Sequence, residues 1–302
     1  MKEWIKRFAK DTKEIMENYG KLIFVSISFL IICLCLNIIV LIILPHNKLT
    51  VSFLDIGQGD AILIKTPSGK KMLIDGGPNN LVLSKIEKEI LYFDHDIDVM
   101  VETHPDADHI TGLIPVLEKY NVHDILISPT ESNTKIFNEL DKHIKEEKAE
   151  THIATSGDVI DFHDGVMAYI LYPPENYFPK KNDTNDASVS IEIKYNNEIF
   201  LLTGDLPILR EQKLITEGLS KNITVYKAGH HGSKYSSGEE LLTYIRPEYV
   251  VISAGKNNKY GHPDLETIER LQKYTKEIIS TIDRGTISFI TDGENIEVET
   301  EK

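Results

Sequence analysis

Thr103-His104-Pro105-Asp106-Ala107-Asp108-His109 is the stretch on which the reading of this chain turns. It follows Val99-Met100-Val101-Glu102, which reads as a buried strand, and precedes Ile110 to Tyr120, whose apolar spacing predicts a helix. Four side chains able to hold a divalent ion fall within six positions, at His104, Asp106, Asp108 and His109. Carboxylate oxygens and imidazole nitrogens suit an ion such as zinc or manganese. Alternate residues of an extended turn can face one point, while the next two enter the helix and address a neighbouring point. A helix cap accounts for one of the aspartates. It does not account for both histidines.

Three further turns place ionisable residues just past apolar runs. Asp75-Gly76-Gly77 ends one, Leu201-Leu202-Thr203-Gly204-Asp205 another, and Ala228-Gly229-His230-His231-Gly232-Ser233 carries two histidines between glycines. An aspartate at a strand end is commonly a turn residue, and a histidine pair is commonly just exposed. All of them at strand ends, together with the first motif, read as one convergent site.

The surrounding pattern supplies the frame. Thr50 to Leu54, Ala61 to Thr66 and Lys71 to Ile74 read as strands punctuated by glycines, and Leu83 to Tyr92 as a helix. Ile125 to Ser128 reads as a strand and Ser132 to Ala149 as a surface helix with an apolar stripe at Ile136, Leu140 and Ile144. Val159 to Phe162, Val166 to Tyr172, Ser188 to Tyr195 and Glu198 to Thr203 form a hairpin-rich stretch. Helices and strands then alternate from Leu206, with strands at Val225 to Ala228, Tyr249 to Ser253, and near Ser288 and Ile296. Early hairpins followed by alternation indicate an α/β sandwich, not a parallel doubly wound sheet.

Composition narrows the class. The 302 residues carry 33 basic and 47 acidic side chains, a net charge of −14, with 41% hydrophobic and 26% charged residues. These are values of a folded globular protein, which exclude a mostly disordered chain and a polytopic membrane protein. The acidic balance counts against tight general nucleic-acid binding, since phosphate backbones are held by excess lysine and arginine. Leu22 to Leu44 contains no charged side chain, and its 23 residues are long enough to cross a bilayer as a helix. The run exceeds a signal-peptide core, and no small-x-small site follows it. It therefore reads as a retained transmembrane helix, with Pro45 breaking it and a short linker leading to Leu49. Six basic residues precede the run and Lys48 alone follows it before Gly59, which places residues 1–21 in the cytoplasm as a short tail and residues 49–302 outside the cell. The two cysteines, Cys33 and Cys35, both lie within the apolar run, so no thiolate metal site remains elsewhere.

Taken in order, Asp55-Ile56-Gly57-Gln58-Gly59-Asp60, Leu73-Ile74-Asp75-Gly76-Gly77, His104-x-Asp106-x-Asp108-His109, Asn185-Asp186-Ala187-Ser188, Thr203-Gly204-Asp205, His230-His231-Gly232-Ser233 and Tyr260-Gly261-His262-Pro263 resemble the metallo-β-lactamase fold superfamily. More narrowly, they resemble the extracellular hydrolase domain of ComEC-type competence proteins. The resemblance implies a four-layer αβ/βα sandwich with the metal site at one edge between two sheets. It implies that His104 and Asp106 hold one metal ion, that Asp108 and His109 hold a second, and that Asp205 bridges them. His230 is favoured to complete the set with His231 as its neighbour, a swap of the two being open. Asp75 would orient the histidines from behind. Many members carry histidine where Asp106 stands, and a further ligand histidine before Thr203-Gly204-Asp205. Here that region offers Asn185 to Ser188, and the nearest histidines, His152 and His163, sit in unrelated strand contexts. One ion position is thus oxygen-rich, which tilts the choice between zinc and manganese toward manganese, or toward a single tight ion.

A divalent ion lowers the pKa of bound water from about 15.7 to near 7, and it offsets charge gathering on phosphoryl oxygens. Asp108 is the expected partner of that water, and His231 or His262 the expected donor to the leaving alkoxide. Gly232-Ser233, read as opening a helix, would offer backbone N–H groups to an anion. Ser233, Lys234, Asn257, Asn258 and Tyr260 are the expected phosphate contacts. The function expected is a membrane-anchored extracellular phosphodiesterase or nuclease acting on single-stranded DNA or on a cell-wall polymer. The alternative is a non-catalytic tethered domain that binds a partner in a competence or cell-envelope system.

Overall fold

The computed structural model describes residues 1–43, 48–177, 179 and 183–302, with the side chains of 38–43 outside the description. Two compact units result, Met1–His46 and Asn47–Lys302. The first is a single helix, α1 (Lys2–Ile43), long and apolar enough to cross a membrane. It begins at Lys2, so the charged residues ahead of the apolar run continue the same helix. Within the run the Asn37 amide donates to the Cys33 carbonyl at 2.8 Å, which satisfies that polar group inside its own helix. The end of the expected span at Leu44, and the expected break at Pro45, lie outside the described residues.

Among the described residues, the second unit is built from fifteen strands. The first six are β1 (Leu49–Phe53), β2 (Ile62–Lys65), β3 (Lys71–Ile74), β4 (Asp96–Glu102), β5 (Asn121–Ile127) and β6 (Glu150–Ile153). Next come β7 (Val159–Asp161), β8 (Val166–Tyr172), β9 (Ser190–Tyr195), β10 (Glu198–Leu202), β11 (Val225–Lys227), β12 (Tyr249–Ile252) and β13 (Glu277–Ser280). The chain then returns to the first sheet as β14 (Ile287–Thr291) and β15 (Ile296–Thr300). The strand orders are β15-β14-β1-β2-β3-β4-β5-β6 and β13-β12-β11-β10-β9-β8-β7. Pairing is parallel from β3 to β6 and from β10 to β13, and antiparallel elsewhere.

The apolar runs are continuous because both faces of each central strand are buried. Ile62, Ile64, Met72, Ile74, Val99 and Val101 meet Val166, Ile191, Phe200 and Val225 between the sheets. Leu63, Leu73 and Met100 point the other way, onto helices α2 (Leu81–Glu89), α4 (Leu113–Lys119) and α5 (Lys135–Glu146), with the short α3 (Ala107–Ile110) leading into α4. On the second sheet Leu201, Tyr226, Val250 and Ile252 cover α6 (Ile208–Thr216), α7 (Glu239–Ile245) and α8 (Leu265–Leu271), and a last turn, α9 (Thr281–Arg284), leads into β14. The four layers α/β/β/α follow from the strict period of two.

Three expectations change. The helix expected over Ile110 to Tyr120 is two pieces, broken at Thr111-Gly112. Gly112 is pressed on the backbone of Gly76, where a Cβ would overlap the Gly76 carbonyl oxygen and lie 2.7 Å from its carbon. Strands β6 and β13 were not expected from sequence. Each is an edge strand paired on one side only, and all four residues of β6 are exposed, so neither carries the apolar pattern that marks an interior strand. The helix expected over Leu83 to Tyr92 stops at Glu89.

Candidate metal centre

The parallel strands of both sheets end at the same rim, and every candidate ligand sits just past such an end. Asp75 follows β3, His104 to His109 follow β4, Asp205 follows β10, and His230 and His231 follow β11. Crevices at the carboxyl ends of parallel strands are where open α/β sheets bind ligands. Asp75, His230 and His231 all adopt left-handed backbone conformations, with φ of 58°, 50° and 55°. Strain of this kind at non-glycine residues costs roughly 1–3 kcal/mol each and persists only where the surroundings impose it. Here the His230 amide donates to the Gly204 carbonyl at 3.1 Å, and the Ser233 amide donates to the His230 carbonyl at 2.8 Å.

The hydrogen bonds fix which imidazole nitrogens are free. Asp75 is fully buried and accepts from the Thr103 amide at 2.9 Å, the Thr103 hydroxyl at 2.6 Å and His109 Nδ1 at 2.7 Å. A carboxylate only accepts, so His109 donates from Nδ1, and Nε2 is the nitrogen it turns inward toward an ion. The Thr103 hydroxyl proton is given to Asp75, so its oxygen accepts from His104 Nδ1 at 3.0 Å. His104 Nε2 is therefore bare, and it is buried without a hydrogen-bond partner. His231 Nδ1 donates to the Ser253 carbonyl at 3.0 Å, which frees its Nε2.

The inward Nε2 atoms converge on one oxygen. Asp205 Oδ2 lies 3.8 Å from His104 Nε2, 3.4 Å from His109 Nε2, and 3.5 Å from the Nε2 atoms of both His230 and His231. Asp106 Oδ2 is 3.8 Å from His104 Nε2, and Asp108 Oδ2 is 3.6 Å from His231 Nε2. His109 Nε2 and His231 Nε2 face each other at 3.3 Å. Two lone pairs at that separation repel unless a proton or a cation stands between them. Asp60, His109, Asp205 and His231, all buried, each offer a ligand atom within 4.8 Å of the others. The donor set fits a divalent cation: oxygens and inward imidazole nitrogens, with the opposite ring nitrogens held by Asp75, Thr103 and Ser253.

The electrostatics agree with that fit. Burial lowers His104 to about 3, helped by the neighbouring His109 charge. Burial would also lower His109 and His231, but Asp205 and Asp75 raise the first well above its ordinary value, and Asp205 and Asp60 raise the second to about 9. Burial would raise Asp108, but the neighbouring His231 and His109 bring it down to about 2. Without a bound cation the ring thus holds protons on His109 and His231 in a cation's stead.

The structure brings His104, Asp106, Asp108, His109, Asp205, His230 and His231 together. Of the histidine pair, His231 is the one enclosed with Asp108 and His109. His230 is 29% exposed and has Asn185 Nδ2 3.4 Å from its Nδ1. Thr184 donates to Asp106 Oδ1 at 2.7 Å, so the turn leading into Asn185 braces that side of the cluster. His152 and His163 lie far out on exposed edges. His262 packs edge-on against His230 at 5.5 Å, and Tyr260 stacks on His262 at 6.0 Å.

The expected anion site at Ser233 is corrected. No helix opens there: α7 begins at Glu239, and the Ser233 amide is used by His230 while the Lys234 amide donates to Asp264 Oδ2 at 2.9 Å. Ser233 itself is buried. Asn258 shapes the turn, donating to the carbonyls of Gly255 and His262 and accepting from the amides of Tyr260 and His262. Asn257, in left-handed conformation, and exposed Tyr260 stay at the rim.

Two residues at the centre carried no role in the sequence reading. Asp60 ends the loop after β1, and Gly59 brings that loop against the Asp108 backbone, where a Cβ would overlap the carbonyl oxygen. Lys227 closes β11 and is fully buried, its ammonium paired with Asp60 Oδ2. The available signal was a lysine closing an otherwise apolar strand.

Comparison with known proteins agrees with this architecture. The profile of the Metallo-beta-lactamase superfamily matches residues 54–169. ComE operon protein 3 of Bacillus subtilis is 28% identical over 256 residues, covering 79% of this chain and 32% of that protein. Recombination protein 2 of Haemophilus influenzae is 32% identical over 265 residues, covering 86% of this chain and 31% of that protein. The chain thus spans about a third of the length of the curated relatives it matches. The metallo-β-lactamase fold protein YhfI of Bacillus subtilis superposes with a TM-score of 0.52 at 9% identity, over 81% of this chain and 100% of that one, a likeness of fold.

Proposed function

From the premise that this chain carries a metallo-β-lactamase superfamily domain related to competence proteins, we propose that it is a membrane-anchored, metal-dependent phosphodiesterase acting outside the cytoplasmic membrane. The observation that carries the reading is the convergence of buried imidazole Nε2 atoms on Asp205 Oδ2. His104 and Asp106 would hold one ion, and Asp108, His109 and His231 a second, with Asp205 between them and His230 beside it. Divalent ions bound there supply a water acidic enough to attack at neutral pH and offset the charge that gathers on phosphoryl oxygens.

The chain's own residues do the rest. Asp108, partly open to the rim and ionised at neutral pH, accepts a hydrogen bond from the attacking water and orients it. His231 is held at both ring nitrogens and stays in place. His262, which stands outside the ring against His230, is the donor we assign to the leaving oxygen; burial and the neighbouring His230 lower its pKa, so donation should strengthen as pH falls below neutral. As the water oxygen bonds to phosphorus and sheds one proton to solvent, the ester P–O bond breaks and the proton from His262 neutralises the alkoxide.

For the substrate, the rim favours a single nucleic-acid strand over a wall polymer. Tyr235 and Tyr260 are exposed there, Lys234 lies over the first ring at 5.3 Å and Lys259 over the second at 4.8 Å. Exposed aromatic rings beside cations suit stacked bases and their phosphates, with no need of a strongly basic protein. The six basic residues ahead of the apolar run support a cytoplasmic N-terminal side. The test is hydrolysis of bis(p-nitrophenyl) phosphate, and then of single-stranded DNA, by the full chain in detergent with manganese or zinc. Turnover that needs metal and is lost in Asp108→Ala supports the reading. Bound metal with no turnover on any phosphodiester would leave a tethered binding domain.

A further inference from the structure

Lys227 is a buried ammonium beside a cluster of carboxylates. Asp60, Asp75, Asp106, Asp108 and Asp205 surround the histidines, and among the described residues Lys227 is the one lysine or arginine in ion-pair contact with any of them. Its Nζ pairs with Asp60 Oδ2, lies 3.4 Å from the Gly204 carbonyl and 3.9 Å from Asp205 Oδ1. The contact joins the two sheets, since Asp60 belongs to the loop after β1 and Lys227 to β11. A side chain needed only for packing would be cheaper as methionine, because an ammonium must be stripped of water to be placed there.

The geometry divides each of these two carboxylates. Asp205 turns Oδ2 to the four Nε2 atoms and Oδ1 toward Lys227. Asp60 gives Oδ2 to Lys227, and its Oδ1, 3.4 Å from His231 Nδ1, is buried without a hydrogen bond. Asp60 is nevertheless close enough to the ring to be counted with His109, Asp205 and His231 as a ligand. At its other oxygen stands the Lys227 ammonium.

We infer that Lys227 is a positioning residue that withholds Asp60 from the metal centre, limits Asp205 to one inward oxygen, and as a fixed internal cation weakens divalent-ion binding. The inference rests on the reading that the ring binds divalent ions. A lysine that merely supported the fold would, on removal, weaken metal binding. Here the sign is reversed. Lys227→Met frees two carboxylate oxygens and removes a positive charge within a few ångströms of the ions, so it should tighten the first manganese or zinc ion by about tenfold or more. Asp60→Asn keeps the ammonium and removes its partner, and should weaken binding by a similar factor. The double variant removes both charges and should return the affinity to within about threefold of the parent.

The test is calorimetric titration of the metal-free full chain in detergent with manganese alone and zinc alone, with melting curves for each variant and Mn²⁺ electron paramagnetic resonance to follow added oxygen ligands. Tighter binding in Lys227→Met, weaker binding in Asp60→Asn and near-cancellation in the double variant support the inference. Folded Lys227→Met protein with unchanged or weaker affinity overturns it. If Lys227→Met does not fold, Asp60→Asn decides, because unchanged or tighter binding there is equally fatal. A parent chain that binds neither metal sinks the metal-centre reading itself, and the inference with it.

Discussion

Asp75→Asn tests the argument for inward imidazole nitrogens at its root. Asp75 accepts three hydrogen bonds with two oxygens. Asparagine can keep the one from the Thr103 amide through its remaining oxygen. Its NH2 group then faces the Thr103 hydroxyl and His109 Nδ1, which are both donors in the parent. Relief comes if His109 moves its proton to Nε2, so that Nδ1 accepts from the amide. That tautomer points a proton at Asp205 Oδ2 and has no lone pair left for an ion. Loss of a partner that orients a metal-binding histidine lowers affinity by about 10–100-fold, or roughly 1.4–2.8 kcal/mol. The neutral side chain is nearly the same size, and one rearranged buried hydrogen bond costs about 1–3 kcal/mol of stability, so the fold should survive. The assay pairs metal titration with long-range ¹⁵N–¹H spectra of the histidine rings, which report the protonated nitrogen directly. An Asp75→Asn protein with parental affinity and His109 still protonated on Nδ1 would refute the reasoning.

Other consequences are as specific. Gly112→Ala should cost about 3 kcal/mol or more, at the upper end of overpacking, because the new methyl meets the backbone of Gly76 and Asn79, not a movable side chain; a chemical-denaturation midpoint within error of the parent would contradict this. Metal affinity should rise with pH from 6 through about 9, since a cation must displace protons that Asp205, Asp75 and Asp60 hold on His109 and His231. Calorimetry in buffers of different ionisation enthalpy should show proton release on binding at pH 7, and its absence would mean the ring is already deprotonated. Glu102 is buried with Oε1 unpartnered, and burial and the nearby Asp75 raise its carboxyl to about 8. A raised carboxyl favours the folded state while protonated, so its contribution is full below about pH 4.5 and is lost as pH climbs through 8. Glu102→Gln should therefore flatten the fall of melting temperature between pH 6 and 9 and gain a few kcal/mol at pH 9; an unchanged slope would show that Glu102 is ionised throughout.

How far the chain could be read in advance depends on the range of the forces involved. Alternating burial is written locally: Ile62, Leu63 and Ile64 already announce a strand with two buried faces, and Phe289 or Val225 likewise. The loop from His104 to His109 announces itself as a candidate metal site by residue type alone. The edge strands β6 and β13 escaped because exposure on one side removes the apolar signal, and the broken helix escaped because its cause, Gly76, lies 36 positions upstream of Gly112.

By itself the sequence pointed to the sandwich, to the apolar N-terminal helix, and to the histidines and most of the aspartates that meet between His104 and His231, Asp60 excepted. The tertiary structure alone decided the state of each member. Nothing local says that Thr103 hands its proton to Asp75 and thereby frees His104 Nε2, that Ser253 selects His231 over His230 for the enclosed position, or that the Ser233 amide is consumed by His230. Nor does the sequence say that Asp60 and Lys227, 167 residues apart, neutralise each other beneath the ring. A ligand's identity is a property of its side chain. Its proton, its charge and its direction belong to partners that only folding brings within hydrogen-bonding distance.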